Sequence, residues 1–365
     1  MALGPLVGSI GVIAAVALLL SRDTGYERPE RFIVVTSPGT RNVFWAPLPT
    51  LHDSTLPPKD QVVHNGQVLI DGTARCAGWI CSEQSDRGLK EPVGLALFQK
   101  GGGNAWLYVS DPKVGFLYRY EVSLTWRKTL EAGPQEVVAR DLKDSAYWLA
   151  VDGFGNIFYT DAEAGSISMI AAEDVSKGLA KGRTLLSSET LSQVASPAGL
   201  AADATALYWA NLKGDQSTGT LLRSNVSPLS LANKTSKNAS AAMTLAGRQM
   251  AGRHYVFQAA VKDICLAGTN VFFTGDGKSL FAVKADGSSD PTEVASLKQP
   301  KGCTYDQETT LFVADQSLNG IYSLPANMQK LRQAKHVRKV VSLKGPQQIA
   351  IFYGPSSNKF LQLSN

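Results

Sequence analysis

Short apolar runs separated by turns recur along the chain from residue 31 onward. In each repeat three apolar segments follow one another, the second usually ends in Asp or Asn, and a fourth short run such as EVVARDL or RTLLSS follows. Five complete units cover residues 92–122, 147–170, 197–224, 263–287 and 300–325. Segments of this length and turn spacing predict β-strands, four to a unit.

The two ends of the repeat region each hold part of a sixth unit. Residues 31–48 and 66–72 match the second, third and fourth strands of a unit, whereas residues 345–352 match a first strand. Closing the array into a ring would remove its exposed sheet edges. The sequence therefore predicts an all-β, six-bladed β-propeller over residues 31–365. Its N- and C-terminal strands would close the ring, with the C-terminal strand innermost.

The second strands share an ending in which aromatic or apolar residues precede a small residue and then Asp or Asn. It occurs at Leu107–Asp111, Phe158–Asp161, Tyr208–Asn211, Phe272–Asp276 and Phe312–Asp315. First strands rich in small residues, such as Leu149–Asp152 and Gly199–Asp203, precede these endings. Over roughly residues 31 to 355 the pattern resembles propellers of the low-density-lipoprotein-receptor type, with Tyr-Trp-Thr-Asp repeats, and the related NHL-repeat propellers. The resemblance implies six blades, and some six-bladed relatives are calcium-dependent lactonases or hydrolases.

The N-terminal region differs from the repeats. Residues 2–20 carry no charge, and as a helix they would be about 28 Å long, close to the hydrocarbon thickness of a bilayer. We expect a transmembrane anchor at residues 1–21 and a linker at 22–30; a cleaved signal peptide and a buried soluble helix are the alternatives. No Lys or Arg precedes the run, which disfavours a signal peptide.

The anchor leads us to expect a membrane-attached domain on the extracytoplasmic or luminal side. Two glycosylation sequons, at Asn233 and Asn238, lie in one polar insertion and favour a glycoprotein of the secretory pathway. The alternative is an organelle membrane, with the domain in the mitochondrial intermembrane space or the plastid lumen.

Composition narrows the classes of partner. Of the 365 residues, 44% are hydrophobic and 18% charged, and the formal net charge is +5. These values argue for a large core and against global disorder, and neither the charge nor any motif favours nucleic acid. Basic residues cluster near the C-terminus, at Lys330, Arg332, Lys335, Arg338 and Lys339. The cluster is either a solvated rim or a docking face for an acidic partner, anionic lipid or sulfated glycan.

The chain has four cysteines. Cys76 and Cys81 flank the short loop AGWI, so a local disulfide is expected there. Cys265 and Cys303 fall at one slot of the first strand in two neighbouring blades. They form either a second disulfide or two small buried apolar residues. The spacing C-x4-C is unusual for zinc, so no metal site is assigned to the cysteines.

No sequence motif in the chain indicates a particular chemical reaction. The first strands begin near residues of mixed chemistry, namely Glu91, Asp144, Ser196, Asp263, Lys301 and Gln347. Calcium takes six to eight oxygen ligands, and three carboxylates are too few to indicate such a site. None of the histidines, His52, His64, His254 and His336, lies on a core repeat strand, and no spacing suggests a Ser-His-Asp triad.

The sequence therefore assigns no catalytic residue, no metal ligand and no cofactor. It favours a non-catalytic, membrane-anchored propeller that binds or scaffolds a protein partner at a membrane surface, such as an accessory subunit of a membrane complex. Residues 2–20 would contact the lipid bilayer. The alternative is a calcium-dependent hydrolase of the lactonase or strictosidine-synthase type.

Overall fold

Six sheets, antiparallel except for one edge strand, follow one another around a common axis in the computed structural model. It describes residues 30–49, 62–73, 88–101, 103–142, 145–175, 177, 180–212, 219–224, 227, 242–246, 261–275 and 277–355. The sheets confirm the predicted six-bladed propeller. Within the described ranges, no helix combines the length and apolarity needed to cross a bilayer. The predicted anchor at 1–21, Cys76, Cys81, Asn233 and Asn238 lie outside the described residues.

Each blade runs outward from an innermost strand, and the strand bounds are as follows. Blade 1 contains β26 (Ile349–Tyr353), β1 (Arg31–Ser37), β2 (Asn42–Pro47) and β4 (Gln67–Ile70). Blade 2 contains β5 (Leu95–Phe98), β6 (Ala105–Asp111), β7 (Phe116–Leu124), β8 (Leu130–Ala132) and β9 (Glu136–Ala139). Blade 3 contains β10 (Leu149–Val151), β11 (Ile157–Asp161), β12 (Ser166–Ile170) and β13 (Arg183–Ser187).

The second half of the ring follows the same order. Blade 4 contains β14 (Pro197–Ala202), β15 (Leu207–Asn211), β16 (Thr220–Ser224) and β17 (Ala242–Ala246). Blade 5 contains β18 (Val261–Ala267), β19 (Asn270–Gly275), β20 (Ser279–Lys284) and β21 (Thr292–Ser296). Blade 6 contains β22 (Pro300–Tyr305), β23 (Thr310–Asp315), β24 (Gly320–Pro325), β25 (Arg338–Ser342) and a parallel edge strand, β3 (His64–Asn65). A 3₁₀ turn (Pro38–Thr40) and the short helix α1 (Ala172–Val175) complete the described elements.

Blade 1 is built from both ends of the chain, as the sequence predicts. Strand β26 pairs antiparallel with β1, with Phe32 opposite Phe352 and Ile33 opposite Ile351. On its other side β1 pairs with β2, and β4 completes the sheet. The ring is thereby closed, and its innermost strands contact one another all the way round.

The core consists of six apolar clusters, one between each pair of neighbouring blades. Successive side chains of a strand point to opposite faces of its sheet. In an innermost strand, alternate residues therefore face the preceding and the following blade. In β18, for example, Ile264 packs against blade 4 and Cys265 against blade 6. The aromatic residues of the second strands, such as Trp209 and Phe158, fill these interfaces and are fully buried.

The antiparallel order gives the propeller two distinct faces. Loops between first and second strands, and between third and fourth strands, lie at the face where β1 begins and β26 ends. We call this the terminal face. Loops between second and third strands, and the connections from one blade to the next, lie at the opposite face, which we call the connection face. The innermost strands begin at the connection face.

Candidate functional site at the axis

Strand pairing identifies one equivalent position within or directly before each of the six innermost strands, which we call the ring position. In each blade, one residue of the innermost strand pairs with the third-last residue of the second strand. The ring position is the residue directly before it in the sequence. In order around the ring, the position is occupied by Gly94, Trp148, Gly199, Asp263, Gly302 and Gln348. Glycine thus alternates with a larger residue around the axis.

The glycines are required because neighbouring strands approach closely at the ring position. A Cβ atom added to Gly199 would lie 2.5 Å from the Cα of Asp263. One added to Gly302 would lie 2.9 Å from both the Cα and the Oε1 of Gln348. The missing side chains therefore let the backbone of blade 5 approach Gly199, and the backbone and side chain of Gln348 approach Gly302.

Asp263 is the one carboxylic acid at the ring position, and its residue is only 5% exposed. Its Oδ2 accepts a hydrogen bond of 3.2 Å from the backbone N–H of Cys303 in blade 6. The carboxylate also accepts hydrogen bonds from the backbone N–H of Ile264 and from the side chain of Gln348 in blade 1. One acid of blade 5 is thus held by its own strand and by the two blades that follow.

Burial gives Asp263 an unusual acidity. Loss of hydration raises the pKa of its carboxyl group from 3.8 to about 7, and the three hydrogen bonds offset only part of this effect. Near neutral pH the group is therefore present both as the acid and as the carboxylate. Such a carboxyl group can donate or accept a proton at pH 7, which an ordinary surface aspartate cannot do efficiently.

Hydroxyl groups hold the strands around the ring position. The backbone N–H of Gln348 donates to Thr36 Oγ1 at 3.0 Å, and this hydroxyl donates to the Val93 carbonyl of blade 2 at 2.8 Å. At the equivalent position of blade 5, Thr274 Oγ1 donates to the Lys301 carbonyl of blade 6 at 3.0 Å. These bonds fix the backbone that carries Asp263 and Gln348.

The acids and amides that end the second strands have a different role. Asp111 accepts hydrogen bonds from the backbone N–H groups of Lys90 and Glu91, and Asp315 does the same for Lys298 and Gln299. Asn211 bridges the Gln193 carbonyl and the backbone N–H of Ala195. These side chains form hydrogen bonds with backbone groups of the loops that connect one blade to the next, and their role is structural.

The residues taken from the sequence as first-strand starts do not share one position in the structure. Of that set only Asp263 occupies the ring position; Glu91 and Ser196 precede their strands, Lys301 and Gln347 lie one place earlier, and Asp144 is outside the described residues. β-Bulges next to the ring position in β14, β18 and β22 shift the register. Sequence reasoning missed Trp148 and Gln348. The spacing between the ring position and the end of the second strand differs from blade to blade, so only the strand pairing identifies these residues.

The structure contains a disulfide between Cys265 and Cys303, with Cα atoms 5.8 Å apart. The two cysteines are not at one slot, which corrects the sequence-based alignment: Cys303 is equivalent to Ile264, one residue before Cys265. Residues at one slot all face the same way around the ring. A disulfide between neighbouring blades must therefore join a residue that faces the following blade to one that faces the preceding blade. Adjacent positions along a strand face opposite ways, so residues at adjacent positions can form such a disulfide.

Calcium, which the family resemblance implies, does not fit the axis. Among the described residues no group of three or more His, Cys, Asp or Glu side chains could hold a metal ion. The ring position offers one carboxylate and one side-chain amide, whereas calcium takes six to eight oxygen ligands. No step of a reaction is therefore assigned to a metal.

The five basic residues singled out in the sequence do not form one face. Lys330, Arg332 and Lys335 are exposed on the loop between β24 and β25, which belongs to the terminal face. Arg338 and Lys339 lie within β25 and are half-buried. Lys339 Nζ reaches the Leu318 carbonyl, in a loop of the connection face, at 3.3 Å.

Neither a model of a protein family nor a curated protein matches the chain. Among solved structures, one of streptogramin B lyase is 13% identical, with a TM-score of 0.40 over 73% of this chain and 70% of that one. The periplasmic gluconolactonase PpgL of Pseudomonas aeruginosa is 13% identical, with a TM-score of 0.43 over 89% of this chain and 100% of that one. A putative 6-phosphogluconolactonase from Bacteroides uniformis is 9% identical, with a TM-score of 0.45 over 86% and 83% of the two chains.

These neighbours correct the functional interpretation made from the sequence. They are described as lactonases and a lyase, so the preference for a non-catalytic scaffold was wrong, and the alternative drawn from the sequence, a hydrolase of the lactonase type, is better supported. At these identities and TM-scores the similarity transfers neither substrate nor catalytic residues. Any activity must be argued from the residues of this chain.

Proposed function

We propose that this propeller is a metal-independent hydrolase of small lactones or related esters, with Asp263 as the proton-transfer group. The observation that carries the proposal is the buried carboxyl group at the ring position with a pKa of about 7. A general base works best when its pKa lies near the operating pH. We propose lactones as the substrate class because the alternative hypothesis from the sequence was a hydrolase of the lactonase type.

The reaction needs one group that first takes and then returns a proton. The carboxylate of Asp263 removes a proton from water, and the water oxygen forms a bond to the carbonyl carbon of the lactone. When the tetrahedral intermediate collapses, the ring C–O bond breaks and the Asp263 carboxylic acid gives its proton to the leaving alkoxide. The product is a hydroxy acid, which loses a proton to solvent, and Asp263 is again a carboxylate.

The other ring residues would position the reactants. The Gln348 side chain donates a hydrogen bond to Asp263, which fixes the orientation of the carboxylate. Trp148, two blades away on the other side of Gly199, packs on the core between blades 3 and 4 and is only partly buried. Its exposed part would offer an aromatic surface to an apolar ring. The substrate would enter from the connection face, where the innermost strands begin.

The test compares Asp263→Asn with the wild-type chain on a panel of γ- and δ-lactones and on p-nitrophenyl acetate. Asparagine keeps the shape and the acceptor oxygen but cannot carry the proton, so we expect kcat to fall by about 100-fold or more. The wild-type rate should rise with pH through about 7, because the deprotonated form of Asp263 is the base.

A matched control is Asp111→Asn, which changes another fully buried aspartate whose role is structural. It should leave kcat and the pH profile unchanged in protein that remains folded. Wild-type turnover no faster than the uncatalysed reaction across the panel, or equal turnover in Asp263→Asn, would refute the proposal.

A further inference from the structure

Exposed apolar side chains are concentrated on the terminal face. Among the described residues, five large hydrophobic side chains are exposed, and four of them lie on terminal-face loops. They are Trp126 (82% exposed), Phe154 (70%), Val62 (66%) and Val63 (44%). Trp126 is at the turn between β7 and β8, and Phe154 is at the turn between β10 and β11. Scattered exposure is normal, but exposure concentrated on one face indicates an interaction surface.

Basic residues lie on the same face as these exposed apolar side chains. Arg127 and Lys128 follow Trp126 in the same turn, and the Arg127 guanidinium lies 4.8 Å from the Trp126 ring centroid. Two blades away, in blade 6, the loop between β24 and β25 exposes Lys330, Arg332 and Lys335.

The loop of blade 6 is held so that its cations point outward. Leu331, Ala334 and Val337 pack on the core between blades 5 and 6. The backbone N–H of Ala334 donates to the Val294 carbonyl at 2.7 Å. With the apolar residues fixed on the protein, the alternating basic residues remain in solvent.

The chain enters the propeller at the same place. Glu30, which directly precedes β1, forms an ion pair with Lys128 beside Trp126. Residues 21–29 separate Glu30 from the uncharged segment 2–20, and nine residues span at most about 30 Å. A bilayer that holds residues 2–20 would therefore lie within reach of this turn.

We propose that the sector of the terminal face formed by blades 6, 1 and 2, with Phe154 at its border, rests on the anionic bilayer that residues 2–20 enter. Tryptophan prefers the membrane interface, and lysine and arginine bind anionic headgroups. Among the described residues, the terminal-face loops of blades 4 and 5 carry Asp203 and Asp286, so the proposed orientation tilts the propeller toward the sector of blades 6, 1 and 2. In this orientation the ring position opens away from the membrane.

The test uses the full-length chain in nanodiscs of phosphatidylcholine, with and without phosphatidylserine. Resistance to alkaline carbonate extraction from vesicles of the same lipids first establishes that the chain is inserted. Hydrogen–deuterium exchange is then compared at the turns around residues 126, 154 and 332. We expect exchange there to be at least about fivefold slower in the anionic nanodiscs than in the neutral ones. Loops of the connection face should not change.

Two variants and a matched control separate lipid contact from other effects. Trp126→Ser with Phe154→Ser, and the triple charge reversal K330E/R332E/K335E, should each abolish the slowing. The triple reversal K113E/K298E/K344E changes the same number of exposed lysines or arginines on the connection face and should not. A chain extracted by carbonate, exchange that is independent of lipid charge, or slowing confined to the connection face would each overturn the proposal.

Discussion

At the scale of single residues, Asp263 shows how position changes chemistry. Its sequence context, VKDIC, resembles an ordinary strand start, and nothing in it signals an acid with a pKa of about 7. The raised pKa results from burial, and Gly199, whose missing side chain lets the backbone at Asp263 approach, contributes to it. This feature could not be predicted from the sequence, because it depends on residues from four blades.

The raised pKa of Asp263 predicts a pH-dependent stability. Between roughly pH 4 and pH 7 the unfolded chain has lost this proton but the folded chain retains it, so the free energy of unfolding falls as pH rises. The loss should be on the order of 4 kcal/mol and should level off above pH 7. Urea unfolding of wild type and Asp263→Asn at several pH values measures it. Because asparagine does not titrate, the free energy of unfolding of wild type minus that of Asp263→Asn should fall by about 4 kcal/mol across this range, and a constant difference would contradict the assignment.

At the scale of elements, alternate residues of each innermost strand pack against different neighbouring blades. One set of side chains faces the preceding blade and the other faces the following blade, as Ile264 and Cys265 show. The repeat pattern was sufficient to predict the strands and their order, because apolar periodicity and turn residues are local properties. It was not sufficient to align the cysteines, since β-bulges move the register by an amount that only the pairing reveals.

The disulfide between Cys265 and Cys303 should contribute measurably to stability. The bridge links residues 38 apart in sequence, and closing a loop of this length in the unfolded chain corresponds to roughly 4 kcal/mol. We expect C265A/C303A to lower the free energy of unfolding by about 2–4 kcal/mol in denaturant titrations. Wild type unfolded with a reducing agent should approach the variant. Equal stability of the oxidised wild type and the variant would show that the bridge adds nothing.

At the scale of the whole molecule, ring closure depends on contacts between residues from opposite ends of the chain. Besides the pairing of β26 with β1, a buried ion pair joins blade 1 to blade 6: Arg31 Nη1 lies 2.6 Å from Asp306 Oδ2. Closure was predictable because the two partial units in the sequence complement each other. The ion pair was not, since neither residue belongs to a repeated motif.

Breaking this ion pair should weaken the whole ring. Arg31→Met leaves the Asp306 side chain, which is 0% exposed, as an uncompensated buried charge, and such a loss costs about 3–5 kcal/mol. Adding Asp306→Asn removes the charge and keeps an acceptor for the backbone N–H groups of Glu308, Thr309 and Thr310. The double variant should therefore be more stable than Arg31→Met alone in thermal and urea unfolding. A double variant that is less stable would argue against the pairing.

The composite blade also constrains how the protein can be made. Strand β1 is among the first parts of the domain to leave the ribosome, but its partner β26 is among the last. Until synthesis ends, β1 presents an unpaired edge to every other chain nearby. A truncated chain that ends before residue 346 would lack β26 and could not close the ring of blades. Such a product should depend on chaperones or be degraded, however intact its other five blades are.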